Sequence, residues 1–224
     1  MTVALIRFKL AAYTRSHRLL QPLFVLVLML MIFYAVRAPA DDAAGSYANS
    51  AGLLIVVFAW AARGLLDTEP DAQRVVSMAA AGGPRREITA GLGACAAVNT
   101  GLAALAVVVP LLIGFQGVPP AAMIAQGVLL HLLAVATGIA LGALSSRPIM
   151  PSPAASMPAL FGGFAALLLV SYTPVGAVLI PIMRWMRAAN DGTLGADLPL
   201  LALPTLLWSA AGLVAYALLR RTRP

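Results

Sequence analysis

Charged side chains are concentrated in one stretch of this sequence, Asp67–Glu87, and are scarce almost everywhere else. The stretch holds four acids and three arginines, whereas only 10% of the 224 residues are charged. Such side chains form ion pairs and charge-assisted hydrogen bonds, which suit a contact with another protein chain. The residues that we predict to make this contact are Asp67, Glu69, Asp71, Arg74, Ser77, Met78, Arg85, Arg86 and Glu87.

Motifs for catalysis or nucleotide binding do not occur in the sequence. Its one lysine, Lys9, is not preceded by a glycine-rich loop, so the Walker A pattern that cradles phosphates is missing. There is no His-Glu-x-x-His, no Gly-x-Ser-x-Gly and no pair of acids inside an apolar run. The single cysteine, Cys95, excludes an intrachain disulfide and a multi-cysteine metal site. We therefore expect no catalytic, cofactor-binding or metal site on this chain.

A few polar side chains interrupt the apolar runs and are candidates to line a pathway. His131 lies in mid-run, and it either faces such a pathway or is a neutral imidazole bonded to a nearby hydroxyl or carbonyl. The other polar groups have the same two interpretations, pathway ligand or interhelical hydrogen bond. Acids are missing from the runs, which argues against a proton-coupled carrier. The remaining candidates are Asn99, Gln126, Thr137, Ser171 and Tyr172.

Composition predicts the elements that position these residues. The chain is 61% hydrophobic with a mean hydropathy of +0.92, whereas soluble proteins are about 45–50% apolar and about 25% charged. A transmembrane helix needs about 20 apolar residues, and long alternating strands are missing. We predict an all-α polytopic membrane protein with six transmembrane helices, an N-terminal amphipathic interfacial helix and a short cytoplasmic helix.

Uncharged runs position the six predicted spans. The 59 residues between Glu87 and Arg147 accommodate two spans, with a turn at Gly114–Pro120. The 36 uncharged residues from Pro148 to Met183 would extend about 54 Å as one helix. They are interpreted as one span followed by an external re-entrant segment, 174–197, and a seventh span is the alternative. The predicted spans are 19–36, 43–66, 88–113, 121–144, 154–173 and 198–219.

Basic residues predict the orientation. With six spans, twelve Lys and Arg residues lie on the side of the amino terminus, and only Arg37, Arg184 and Arg187 lie on the other side. Cytoplasmic loops carry the excess of basic residues. We therefore expect a multi-pass protein of the cell (plasma) membrane with cytoplasmic N- and C-termini.

The first eighteen residues form the predicted amphipathic helix. Val3, Ile6, Leu10 and Tyr13 share one face of a helical wheel. A helix of this kind lies in the membrane interface, and a basic flank without fixed structure is the alternative. Its basic residues are Arg7, Lys9, Arg15 and Arg18.

The stretch Asp67–Glu87 predicts a helix of its own. Thr68 is expected to cap a helix that starts at Glu69 and ends near Ala80, before Gly82-Gly-Pro84. A solvated loop is the alternative.

A small-residue motif is found further along the chain, in the predicted span 121–144. Gly138 and Gly142 form a GxxxG pair there, which favours close packing against another helix.

The order of these elements resembles the permease subunit of type-2 ATP-binding-cassette transporters. The similarity of layout covers nearly the whole chain. At residue level it rests on two patches, Arg74-Val-Val-Ser-Met…Gly82-Gly-Pro-Arg-Arg-Glu87 and Pro181-Ile-Met-Arg-Trp-Met-Arg187. The resemblance implies that 67–87 is the coupling region seated in an ATPase subunit and that the amino-terminal helix is the connecting helix. The external segment would cap the pathway, although Asn190-Asp-Gly stands where Asn-Pro is common.

The resemblance also implies partners and a mechanism. ATP and Mg would bind a separate ATP-binding-cassette ATPase, whose closure drives alternating access between this permease and a second copy or homologous permease in membrane lipid. Nucleic acid is not an expected partner. Export is preferred over import because no dock for a binding protein is evident, and the apolar spans favour an apolar or amphipathic substrate. The alternatives are a membrane-embedded enzyme or a non-transporting membrane anchor or assembly subunit.

Overall fold

A computed structural model describes residues 2–222, and it is built almost entirely of α-helix. Besides the helices it contains a 3-10 turn, Ala40–Asp42, and two short strands, β1 (Ala38–Pro39) and β2 (Phe115–Gln116), which pair in parallel. The all-α prediction is confirmed. The helices are α1 (Thr2–Arg15), α2 (Leu20–Phe33), α3 (Ala43–Leu66), α4 (Asp71–Ala81), α5 (Pro84–Ile113), α6 (Ala121–Leu144), α7 (Pro153–Ser171), α8 (Pro174–Leu179), α9 (Ile182–Asn190) and α10 (Leu194–Thr222).

Five of these helices, α3, α5, α6, α7 and α10, are long and apolar enough to cross a membrane. A sixth crossing is counted if α1 and α2, which meet at a bend of 73°, are taken together. Helices of this length and composition are those of a membrane-embedded protein.

The long helices connect two opposite ends of a bundle. At the strand end, β1 pairs with β2, and the ring of Tyr34 lies 5.6 Å from that of Phe115. At the charged end, Lys9 near the start of the chain and Arg220 near its finish both bond the side chain of Glu87.

Helix α2 runs from the charged end to the strand end. Arg18, just before it, donates to the backbone oxygen of Asp67, and Tyr34, just after it, contacts Phe115. Its 14 helical residues cover about 21 Å, against about 30 Å for a bilayer core. The helix is therefore shorter than the predicted span 19–36, although the segment still joins both ends.

Helices α3 and α6 form the centre of the bundle. In their most apolar windows, 67% of α3 and 72% of α6 are buried, compared with 22% of α7 and 17% of α10. Gly138 and Gly142 permit this close packing, since a Cβ at Gly138 would lie 2.6 Å from Phe58 Cβ and one at Gly142 would overlap Ala59 O. The GxxxG face of α6 therefore contacts α3.

The predicted external segment 174–197 is more ordered than its prolines suggested. Pro174 and Pro181 begin helices instead of breaking them, because a proline lacks only an N–H that the first turn leaves unbonded. Thr173 also caps α8 by accepting a hydrogen bond from Gly176 N. The last helix, α10, starts at Leu194 instead of 198.

Helix α9 is amphipathic and packs along the strand-end half of α3. Its buried side includes Ile182 and the fully buried Trp185, whereas Arg184 and Arg187 are exposed. A Cβ at Gly52 of α3 would overlap the side chain of Met186. The segment is thus a short helical hairpin returning against the bundle.

Candidate functional site

The polar stretch forms helix α4 between α3 and α5, with boundaries set by proline and glycine. Pro70 occupies the N-cap position, and Gly82 (φ 78°) and Gly83 (φ 128°) end the helix in conformations that favour glycine. The predicted Thr68 cap is wrong: its hydroxyl donates back to Gly64 O at 2.8 Å. Because proline fixes an extended residue ahead of the helix, α4 starts two residues later than predicted.

A four-membered ion network, Lys9–Glu69–Glu87–Arg220, ties α4 to the rest of the charged end. Lys9 Nζ donates to Glu69 Oε2 at 2.8 Å and to Glu87 Oε1 at 2.9 Å. Arg220 Nη2 donates to Glu87 Oε2 at 3.1 Å. The network thereby joins α1, the start of α4, α5 and the finish of α10.

The ion network is charge-balanced and largely shielded from solvent. The four side chains are between 4% and 10% exposed, and two cations face two carboxylates. Removing one member of such a buried pair costs about 3–5 kcal/mol, because the other charge is left without a partner. The network therefore holds these helices in one arrangement.

Glu69, two residues before α4, also bonds two residues of that helix. Its Oε1 accepts a short hydrogen bond from Ser77, and its backbone oxygen accepts one from Arg74 Nη2 at 2.9 Å. Burial acts to raise the pKa of Glu69, but the hydrogen bonds from Lys9 and Ser77 and the nearby cationic charges outweigh it and lower that pKa. Glu69 is thus held as a carboxylate.

Asp67 is the centre of a second polar contact, next to the α6–α7 loop. Its Oδ1 accepts from the backbone N–H of Arg147 at 2.7 Å, and its Oδ2 lies 3.5 Å from Arg63 Nε. Burial raises the pKa of Asp67 despite that hydrogen bond and the neighbouring arginines. The same residue's backbone oxygen accepts from Arg18.

Several residues that we predicted to contact a partner are in fact bonded within the chain. Asp67, Glu69, Arg74 and Glu87 are each less than 9% exposed. The side chain of Arg74 is buried on the inner side of α4, and its Nη1 donates to Asp71 Oδ1 at 2.8 Å. Their charges hold α4 in place instead of facing outward, because short loops fold the stretch back onto the ends of α1, α5 and α10.

The outer side of α4 is exposed and mixes apolar with charged side chains. Val75 and Val76 are 55% and 67% exposed, and the side chain of Asp71 is 68% exposed. Arg85 and Arg86 at the start of α5 extend this surface, whereas Ser77 and Met78 are only partly exposed. We call Asp71, Val75, Val76, Arg85 and Arg86 the α4 surface.

A groove between α1 and α4 borders the α4 surface. It has a volume of about 340 Å³ and is lined by Leu5 and Phe8 of α1 and by Ser77, Ala80 and Arg86 on the other side. Arg7, Arg15 and Arg18 of the predicted connecting helix are exposed, and Lys9 is turned into the ion network. One side of α1 therefore remains open beside α4.

The predicted pathway residues are dispersed, and most are bonded locally. His131 is fully buried, with Nδ1 2.8 Å from Gly127 O and Nε2 3.4 Å from Ser50 Oγ. Asn99 donates to Cys95 O, and Thr137 donates to Leu133 O.

The other predicted pathway residues lie elsewhere in the bundle. Ser171 accepts from Met183 N, and Tyr172 is exposed beneath Arg187, at the α8–α9 hairpin. Gln126 is half-buried near the start of α6. The structure does not bring the six candidates together into one site.

Sequence reasoning missed Arg220 as a functional candidate, and it assigned Lys9 to the connecting helix without its partners Glu69 and Glu87. These residues pair across 60 to 133 positions of the chain, a distance at which no local pattern applies. One signal was present: at about 100° per residue, Lys9 lies about 60° from Ile6 and about 40° from Tyr13, hence on the buried face of α1.

At the charged end, ion pairs and hydrogen bonds join the helices to one another. Across residues 2–222, no group of three or more His, Cys, Asp or Glu side chains is placed to hold a metal ion. The bundle and its charged end define a helical membrane protein with a small exposed helix at one end. Comparison with family models, curated proteins and solved structures finds no match for this chain.

Proposed function

We propose that this chain is the permease subunit of an ATP-binding-cassette exporter, driven by a separate ATPase that docks on α4. The proposal rests on the difference between the two sides of α4. Its outer side is an exposed surface, and the segment just before it is bonded to three other helices through the ion network.

The α4 surface has the character of a protein contact. Two exposed valines occupy its middle, and Asp71, Arg85 and Arg86 stand at its margins. An apolar centre with a charged rim is the usual anatomy of an interface. The neighbouring groove along Leu5 and Phe8 lets the same partner contact α1.

The ion network supplies a route for movement from α4 into the bundle. Glu69 precedes α4 by two residues, Lys9 bridges it to Glu87 of α5, and Arg220 joins α10 to the same carboxylate. A displacement of α4 therefore acts on α1, α5 and α10 together. Packed helices joined by such bonds shift as rigid units.

The proposed topology has six crossings, with both termini in the cytoplasm and the chain in the plasma membrane. Helix α2 and the five long helices each connect the charged end to the strand end. Most basic residues lie toward the charged end, and Arg37, Arg184 and Arg187 lie toward the other. The positive-inside rule assigns the charged end to the cytoplasm.

The proposed substrate is apolar or amphipathic and passes between this chain and a second permease. A shallow cavity of about 220 Å³ between α5 and α6 has apolar walls of Ala103, Val107, Val128 and Leu132. His131 closes its inner side. Such walls suit an acyl or aromatic group better than a charged solute.

Charge substitutions on the α4 surface test the ATPase contact. The tagged chain is purified from its native membrane, and Mg-dependent ATP hydrolysis of the purified complex is measured. Val75→Asp with Val76→Asp should lower the co-purifying activity at least about tenfold, because a charge at the centre of an interface costs more than about 1.4 kcal/mol.

The matched control carries the same substitutions on α8. Val175 and Val178 are 69% and 58% exposed at the opposite end of the bundle, so their change to Asp should leave the ATPase activity unaltered. The proposal fails if the wild-type chain carries no Mg-dependent ATPase activity, or if the α4 variant keeps it while folding normally.

A further inference from the structure

A polar cavity at the charged end lies outside the ion network. It has a volume of about 300 Å³ and lies between the start of α2, the finish of α3 and the α6–α7 loop. Its walls include Arg18, Gln21, Trp60, Arg63, Asp67 and Arg147.

The cavity carries an excess of positive charge. Its lining includes three arginines and one acid, Asp67. Arg147 also lies 3.4 Å from Asp71, but that carboxylate is 68% exposed and its attraction is screened by solvent. Three arginines against one acid leave the lining with two excess positive charges, which attract an anion.

The arginines are held in place while part of their bonding capacity remains. Arg18 donates Nη1 to Asp67 O at 2.8 Å, and Arg63 donates Nε to Ser156 Oγ at 2.5 Å. A guanidinium has five N–H donors in a rigid fork, so these bonds position each group without using all of its donors. The backbone N–H of Arg147 is fixed by Asp67.

Arg147 has a buried donor without an acceptor. Its Nε has no hydrogen-bond partner among the described residues, although the side chain as a whole is 40% exposed. A buried N–H without an acceptor costs about 1–3 kcal/mol.

The cavity lies at the charged end of the bundle, beside the start of the apolar helix α2, where we expect lipid headgroups. Trp60, on its wall, packs edge-on against Phe161 at 6.1 Å, and tryptophan is common at membrane interfaces. Beyond the cavity, α2 exposes Leu20 and Phe24, which are 57% and 70% exposed. An acyl chain can therefore extend along α2 from a headgroup seated among the arginines.

We propose that Arg18, Arg63 and Arg147 form a binding site for an anionic phosphate group. Arginine forks match the oxygens of a phosphate better than any other side chain. The phosphate belongs either to the headgroup of an anionic phospholipid or to a soluble phosphate ester. The site requires no ATPase partner, so it stands independently of the transport proposal.

Lipid retention by the full-length chain tests the site. The protein is reconstituted in nanodiscs of phosphatidylcholine with a minor share of phosphatidylglycerol, and the bound phosphatidylglycerol is quantified by native mass spectrometry. Arg18→Gln with Arg147→Gln should weaken its binding about tenfold or more, since each lost hydrogen bond to a charged group is worth about 1.5–3 kcal/mol. Arg63 is left intact because it also bonds Ser156.

A control for general surface charge is Arg7→Gln with Arg15→Gln. Both arginines are exposed on α1, outside the cavity, and their removal takes the same charge from the same side. Retention should stay within about twofold of wild type. An equal loss in this control, or unchanged binding in the Arg18/Arg147 variant, would overturn the proposal.

A second measurement separates the two sources of phosphate. Glycerol 3-phosphate is added to the detergent-solubilised protein, and its effect on the melting temperature and on phosphatidylglycerol retention is recorded. Competition that requires Arg18 and Arg147 assigns the site to soluble phosphate esters as well, whereas binding of phosphatidylglycerol alone assigns it to lipid. Phosphate binding that is independent of the arginines, or none from either source, contradicts the site.

Discussion

Glu87 is the residue at which three helices of the charged end meet. Its two carboxylate oxygens accept separately from Lys9 and Arg220, so α1 and α10 are attached to the first turn of α5 by one side chain. The carboxylate also lies at the positive end of α5, where a negative charge is favourable. This bridge explains why a nearly buried acid is tolerated in so apolar a chain.

Two neighbouring acids, Asp67 and Glu69, contribute to stability with opposite dependence on pH. The pKa of Glu69 lies below its ordinary 4.5, so its stabilising contribution is present above that pH and is lost as the pH falls through the lowered pKa. The pKa of Asp67 lies above its ordinary 3.8, so the folded state gains stability as protonation sets in on acidification.

Glu69→Gln should therefore destabilise the protein at neutral pH by about 1.5–3 kcal/mol, because the bonds of Lys9 and Ser77 weaken while Lys9 keeps Glu87. The difference from wild type should shrink as the pH falls below 4.5. Asp67→Asn, which can still accept from Arg147 N, should lose the most relative to wild type in acid. Unfolding in detergent micelles across this range measures both, and parallel pH profiles for the two variants would refute the assignment.

At the scale of elements, the inner side of α4 is bonded to the bundle and its outer side is exposed. Loops of four residues before it and two after it fold the polar stretch against the bundle. The side chains of Glu69, in the preceding loop, and of Arg74, on the inner side of α4, bond within the chain. The exposed valines and Asp71 are thus among the residues of α4 that another chain can reach.

The contact between α3 and α6 depends on glycines. A Cβ at Gly142 would overlap the carbonyl oxygen of Ala59, and backbone cannot move aside as a flexible side chain can. The two central helices would have to separate to admit it. Close approach of this kind is how helices associate in membranes, where apolar burial drives little.

Gly142→Ala should destabilise the bundle by roughly 1–3 kcal/mol, as insertion of a methyl group into a packed contact does. Gly162→Ala on α7 is the matched control, since a Cβ there meets nothing within 4 Å. That change should be neutral or should stabilise by about 0.5–1 kcal/mol through lower backbone entropy. Melting temperatures in the same detergent provide the comparison, and equal melting of Gly142→Ala and wild type would contradict the packing.

At the scale of the whole molecule, the two ends of the bundle differ in charge and in content. The charged end holds both termini of the described chain, α4, the ion network and the arginine cavity. The strand end holds the β1–β2 pair and the α8–α9 hairpin. Movement applied at the first end reaches the second only through the helices between them.

Cysteine labelling of intact cells tests the proposed orientation. The native Cys95 is fully buried and should give little background. A membrane-impermeant maleimide should label Val118→Cys, which lies at the strand end and is 89% exposed, but not Gln73→Cys on α4. After lysis both should react. The reverse pattern in intact cells would place the charged end outside.

The sequence alone determined the helical class, the approximate positions of the long helices and the stretches in which charged residues are concentrated. These follow from local composition and from the length of the uncharged runs. Helix α3, for example, covers the predicted span 43–66, whose first twenty residues, 43–62, are one uncharged run. Start and stop residues were less predictable: prolines that suggested a broken external segment instead begin α8 and α9. A proline's effect depends on whether it falls at the first turn or in the interior.

Only the tertiary structure decided what the charges of Asp67–Glu87 do. The sequence shows four acids and three arginines but not which of them face inward, since that depends on Lys9 and Arg220 arriving from opposite ends of the chain. Burial penalises an ion, and the cost is offset only where a partner completes its hydrogen bonds. Those partners lie 60 to 133 residues away, so the inward acids became part of the scaffold and the valines of α4 became its surface.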